Sequence, residues 1–342
     1  MADSVRRAFI GSFTAAGGPG ILTAAVAADS GALTLLGSVD GLSDPSYLAL
    51  SPDGRTLYAV SETSQGGVAA FRVDGDKPEP AGHRVAVGGG PTHLSLYDGH
   101  VLTADYGSGS VTAVPVRSDG TLAPAASGVL RHTGSGPHSK RQRAPHAHQV
   151  QPDPSGRWAV SVDLGTDSVR VCTLVDGGPR VHGEFALRPG SGPRHLAFHP
   201  SGGYAYVVNE LTPTVTVCRW DATGGALTPL AETPVLPHAP AGDAYPSGIV
   251  ASPDGRFLWI ATRGEDVLSV FAVEAGGEVL RLVGTVPCGG RWPRALTEAG
   301  GVLYVANERS GDVTWFTVEP ATGLPRRGGS LAVTAASCVV LA

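Results

Sequence analysis

Lysine is almost missing from this chain: Lys77 and Lys140 stand alone, so 23 of the 25 cationic residues are arginine. We attach no functional meaning to that skew. Charge of either sign is scarce, at 16% of residues against 42% apolar, which is the reverse of a disordered composition. A net charge of −5 leaves no excess positive surface for nucleic acid or an anionic membrane. The one basic run is Arg131 to Arg143. No apolar stretch reaches the roughly 18 residues that would span a bilayer. The four cysteines, Cys172, Cys218, Cys288 and Cys338, stand far apart with no CxxC pair. Neither a zinc site nor a disulfide framework is suggested, and buried reduced thiols are expected.

What the chain has in surplus is turn formers. Gly 48 and Pro 27 make up more than a fifth of 342 residues, and they recur in order. A proline opens an apolar strand, a Pro-x-Gly turn follows, a second apolar strand ends in polar residues, and a β-branched third strand comes after. The clearest copies are Pro45-Ser-Tyr-Leu-Ala-Leu-Ser-Pro-Asp-Gly-Arg-Thr-Leu-Tyr-Ala-Val-Ser-Glu62 and Pro193-Arg-His-Leu-Ala-Phe-His-Pro-Ser-Gly-Gly-Tyr-Ala-Tyr-Val-Val-Asn-Glu210. Others open at Pro91, Pro145, Pro246 and Pro293. A fourth strand is expected after a second turn signature at Gly31, Gly120, Gly225, Gly277 and Gly323.

Four strands in about 50 residues is the arithmetic of a propeller blade. Six whole units are visible, and the remainder is split. Residues 8 to 36 hold three strands without a first, and Ser337 to Leu341 is one strand without partners. Together they predict a single all-β domain over 1–342: a seven-bladed β-propeller of four antiparallel strands per blade, its last blade closed by both chain ends. Closure hides sheet edges that would otherwise aggregate. Arg6-Arg7-Ala8-Phe9-Ile10 superficially resembles a twin-arginine export signal with small residues at Ala24 to Ala28. Gly17-Gly-Pro-Gly20 interrupts its apolar stretch, and the repeat claims those residues as strands, so a cytoplasmic protein is expected.

Strand direction sorts the polar residues. The residues before each first strand and after each second strand meet at one face, the Pro-x-Gly turns at the other. The first face gathers Glu62, His93, Asp105, His146, His148, Asp163, Arg194, His195, Asn209, Glu210, Ser247, Arg263, Arg294, Asn307 and Glu308 as a polar cup at the channel mouth, and such concave loop faces favour ligands. His199, Asp53 and Asp254 fall at the opposite face.

Gly192-Pro-Arg-His-Leu-Ala-Phe-His-Pro with Tyr204-Ala-Tyr-Val-Val-Asn-Glu-Leu211 resembles the hallmark of the seven-bladed propeller lactonases, which include bacterial 6-phosphogluconolactonase and the fungal carboxy-muconate cyclase. Arg141-Gln142, Pro145-His-Ala-His148, Asp153-Pro-Ser-Gly156 and Asp163-Leu-Gly165 are similar to its second signature. Tyr245-Pro-Ser-Gly with Ala261-Thr-Arg-Gly264, and Trp292-Pro-Arg294 with Ala306-Asn307, match two more blades. The resemblance implies hydrolysis of a small sugar-type lactone, most simply 6-phosphogluconolactone, without cofactor or metal. It implies a monomer or weak homo-oligomer whose partner is the small-molecule lactone. Its functional residues carry over to His148, Arg194, Glu210 and Arg263.

Lactone hydrolysis needs a base for water, a stabiliser for the tetrahedral oxyanion and a grip on the rest of the substrate. Glu210 or His148 fits the base, and Arg194 or Arg263 the oxyanion or an anionic group. Arg143 and Arg294 are candidates for an anion grip, with His146 and His195 as further substrate-binding residues. His146 and His148 alternate on one strand face, so either could point inward, and together they could also begin a metal site that lacks a third ligand. Asp105 and Asp163 are expected to bond local backbone N–H groups. Glu308 and Glu265 bring negative charge that, facing the pocket, disfavours a phosphorylated substrate. The basic loop 132–143 is a candidate lid. A lactone-forming cycloisomerase would use the same groups, whereas a non-catalytic propeller would instead show a large apolar rim patch.

Overall fold

The computed structural model describes residues 6–342; residues 1–5 of the expected domain lie outside the described residues. Seven antiparallel sheets follow one another around a channel. Blade 4 shows the plan: Pro193–Phe198 is innermost, followed outward by Tyr204–Asn209, Thr214–Asp221 and Ala226–Pro234. The second strands, such as Phe257–Arg263 in blade 5, are buried along their whole length because neighbouring blades cover both faces. Outer strands such as Gly178–Ala186 alternate toward solvent. Between blades the core is continuous: Trp158, Val160 and Val162 of blade 3 pack on Leu196, Val207 and Trp220 of blade 4. All four cysteines are buried and unpaired.

Blade 7 closes the ring as the sequence predicts. The C-terminal strand Ala336–Leu341 lies innermost, paired with Arg7–Ser12, which is followed by Ile21–Val26 and Leu33–Val39. The Pro-x-Gly turns are held by the residue before the proline. Ser51 Oγ accepts from Thr56 N at 2.9 Å, and Asp153 Oδ1 from Trp158 N at 2.9 Å.

Two outer edges depart from expectation. In blade 2, Leu122 makes only an isolated bridge to Val116, and the fourth strand forms later, at Gly128–Arg131. Pro124 follows directly and has no N–H to extend the ladder. In blade 1 the outer edge is split into Glu79–Pro80 and Val85–Ala86, both on Gly67–Arg72, with Pro78 and Pro80 responsible in the same way.

One irregularity positions everything that follows. Each first strand of blades 2 to 7 slips register by a β-bulge near its start, at Thr92, His148, Arg194, Ser247-Gly248, Arg294 and Ser337. A bulge re-aims its side chain out of the strand's alternation, here toward the channel mouth. Bulges of adjacent blades are stitched together: Thr92 Oγ1 donates to His148 O at 3.1 Å, Arg194 Nη1 to Ser247 O at 2.7 Å, and Ser247 Oγ to Pro293 O at 2.5 Å. A second ring of equivalent positions, at or one residue past the end of each second strand, comprises Phe13, Glu62, Tyr106, Leu164, Glu210, Arg263 and Glu308.

Candidate active site

The two rings together form the cup. Glu210, from the outer ring of blade 4, is the hub of its cationic side. Its Oε2 lies 3.1 Å from Arg194 Nε and 2.8 Å from Arg263 Nη2, and its Oε1 lies 2.6 Å from Arg141 Nη2. Arg194 and Arg263 approach off the N–H axis, so these contacts are ion pairs rather than aligned hydrogen bonds. Burial opposes the charge on Glu210, but Arg263, Arg194 and Arg141 outweigh it and hold the carboxyl well below the usual range. Arg194 is pushed down to about 9 by burial and then by Arg263, with Glu210 opposing.

His148 sits at the bulge of blade 3, buried, its ring 5.5 Å from Tyr106 and 5.1 Å from His195, both edge-on. Its Nδ1 has no protein partner. Burial, and then the Arg194 charge, keep the imidazole neutral. The His146 ring stacks on Tyr106 at 4.3 Å and its Nδ1 lies 2.8 Å from Tyr106 O. The extra residue of the bulge breaks the two-residue alternation on which a paired reading depended, and the two rings meet Tyr106 differently, His146 stacked and His148 edge-on. Among the described residues no cluster of three or more His, Cys, Asp or Glu has metal-binding geometry.

Arg294 lies in the cup, but both its ends are occupied: Nη2 is 3.2 Å from Glu62 and Nη1 is 3.3 Å from Glu308. Arg143 is exposed and donates from Nε to the Ser139 carbonyl of its own loop, so it is not a ligand of the cup. Glu308 does face the cup, whereas Glu265 lies in the turn after Arg263. His195 lies one step below the bulges with His93 and Tyr47; His93 is 5.5 Å from His195 and 4.1 Å from Tyr47. Beneath these rings a channel cavity of about 540 Å³ runs toward the Pro-x-Gly turns, touching His195, Tyr47, Gln149 and Cys338.

The polar residues that end second strands mostly turn away from the cup. Asn209 donates to Thr214 and Thr216, and Asn307 to Thr314. Asp105 accepts from the hydroxyls of Thr103, Ser110 and Thr112 rather than from the N–H groups of a turn. Asp163 does accept backbone N–H groups, of His146, Gly165 and Thr166, and adds His132 Nδ1 at 2.6 Å and Arg170 at 3.3 Å.

Residues 7–341 match the family model described as lactonase, 7-bladed beta-propeller. The chain belongs to that family. It is 34% identical over 322 residues to the 6-phosphogluconolactonase of Bacillus subtilis, covering 92% of each chain. It is 31% identical over 333 residues to one from Formosa agariphila, covering 92% of this chain and 93% of that one. The solved periplasmic gluconolactonase of Pseudomonas aeruginosa superposes with a TM-score of 0.92 at 29% identity over 99% of each chain.

Within this lactonase fold, several groups at the mouth escape a reading of the sequence alone. Arg141 stands beside Gln142 in the basic run, but nothing in the sequence aims it at Glu210. Tyr106 and Phe13 occupy the same ring as Glu210, yet look like ordinary apolar strand ends. Trp292 adopts a left-handed backbone, φ 65°, where Gly90 and Gly192 stand before the equivalent strands. Its N–H donates to Asp266 at 2.8 Å, and its ring is flanked by Arg309 at 3.3 Å and Arg263 at 5.6 Å.

Proposed function

We propose that the cup hydrolyses a small sugar-type lactone, without metal, and the single observation that carries this is the junction of Glu210, Arg194 and Arg263 beside the neutral imidazole of His148. Water adds to the lactone carbonyl, and His148 takes its proton. The carbonyl oxygen becomes an oxyanion facing Arg194 and Arg263. The bond from the acyl carbon to the ring oxygen then breaks, and the imidazolium returns the proton to that oxygen, leaving an open hydroxy acid. Glu210 is the weaker base of the two because its neighbours hold it ionised; it serves to array the guanidiniums. Names borne by the relatives, 6-phosphogluconolactonase and gluconolactonase, support a gluconolactone-type ring, with or without phosphate.

Purified protein assayed against glucono-lactone, its 6-phosphate and a panel of other lactones is expected to hydrolyse at least one of them. Arg194→Ala combined with Glu210→Ala should abolish that activity, and wild-type turnover in the double variant would sink the proposal. A cytoplasmic location is supported by the place of Arg7–Ser12 in the middle of blade 7, since cleavage near Ala24 to Ala28 would remove that strand. Fractionation of the native host tests it.

A further inference from the structure

The charges of the cup are segregated. On the side of blades 3 to 5, three guanidiniums, Arg141, Arg194 and Arg263, surround the single carboxylate of Glu210. On the side of blades 6, 7 and 1, two carboxylates, Glu62 and Glu308, hold the single guanidinium of Arg294, which also lies over the Phe13 ring at 4.7 Å. Glu62 and Glu308 keep 19% and 26% of their side chains exposed, so their carboxylates line the cup itself. Arg309, which neighbours Glu308 in sequence, lies 3.3 Å over the Trp292 ring.

We infer that the lactone lies with its carbonyl toward Arg194 and Arg263 and its hydroxyl-bearing end toward Glu62 and Glu308, and that its class is therefore an unphosphorylated polyhydroxy lactone. This rests on the hydrolase function proposed above. Carboxylates only accept hydrogen bonds, and sugar hydroxyls supply donors. A phosphate monoester carries about −1.5 to −2 near neutral pH and would sit against a side where two carboxylates outnumber one guanidinium. Turning the substrate round would place the phosphate on the guanidiniums but leave the developing oxyanion facing Glu62 and Glu308. The surplus positive charge on the first side suits the single negative charge of the tetrahedral intermediate.

The test compares kcat/KM for glucono-lactone and its 6-phosphate, in the wild type and in Glu62→Gln/Glu308→Gln. The wild type should favour the unphosphorylated ring by tenfold or more, and the double variant should narrow that ratio at least tenfold. Preference of the wild type for the phosphate, or an equal effect of the substitutions on both substrates, overturns the inference. Calorimetric titration of the wild type with gluconate and 6-phosphogluconate reads the same charge filter without turnover. Gluconate binding at least as tightly as 6-phosphogluconate supports it, and tenfold tighter 6-phosphogluconate overturns it. Should neither lactone react while gluconate still binds, hydrolysis fails as the function and the charge filter stands.

Discussion

Arg141 Nη2 lies 2.6 Å from Glu210 Oε1, and this contact fastens the basic loop over a carboxylate of blade 4. The loop is anchored at its other side by buried Gln142, which donates to Leu164 O at 2.9 Å and accepts from His138 N at 3.0 Å. Arg141 is 36% exposed, so the pair with Glu210 adds little to global stability. Arg141→Ala should raise KM about tenfold, one lost charge-assisted contact, while the urea midpoint stays within error. Deleting residues 134–140 should also raise KM with the fold intact. Unchanged KM in both would show the loop to be a bystander.

Glu210 answers three guanidiniums, and removing it strands them. Glu210→Gln should lower unfolding free energy by about 3–5 kcal/mol, the usual result of breaking a buried pair from one side. Urea denaturation measures this; a loss near zero would mean that water already screens the cluster.

Acid should weaken the fold well before most of the carboxylates titrate. Burial, followed by the Arg194 charge, lowers His93 to about 3 and holds His148 and His195 well below 6.5. An unfolded chain takes up protons on these rings as pH falls below 6.5, whereas the folded chain does not. Their stabilisation is complete above 6.5 and is lost on acidification, at about 1.4 kcal/mol per pH unit for each ring. Asp105, pushed up to about 6 by burial, acts oppositely between 6 and 3.8 and offsets one of the three. The urea midpoint is therefore expected to fall between pH 7 and pH 5, and a flat profile would contradict the burial of these imidazoles as neutral groups.

Asp105 and Asp163 end equivalent strands yet should respond differently to the same change. Asp105 meets three hydroxyls and the backbone N–H of Gly88 but no cation, and Asn already stands at this position in Asn209 and Asn307. Asp105→Asn should cost about 1 kcal/mol or less. Asp163 balances Arg170 at full burial, with burial opposing its charge and His132 and Arg170 prevailing. Asp163→Asn should cost about 3–5 kcal/mol and disturb His146, whose N–H it holds. Equal losses in the two variants would refute this distinction.

The blade count, the closure and the face of the cup were legible because proline, Pro-x-Gly and β-branched runs act locally and repeat. What the sequence hid was the bulge. An inserted residue needs no special side chain, so the two-residue alternation that left either His146 or His148 free to point inward gave no sign of the register shift at His148. Arg294 was visible as a cation at the mouth, but Glu62, its partner, is remote in sequence and joins it only once the ring has closed. Arg143 looked like a ligand by its place in a basic run, and the loop's own carbonyl took it.

Blade 7 also sets the order of events during synthesis. Arg7–Ser12 leaves the ribosome before the other described strands but finds its inner neighbour only when Ala336–Leu341 has emerged, pairing Ala8 with Leu341. Until then one side of that strand is an open edge, and nascent blades wait with a template for misplaced pairing beside them. Translation speed and chaperone access should therefore govern the yield of this protein more than the stability of any single blade.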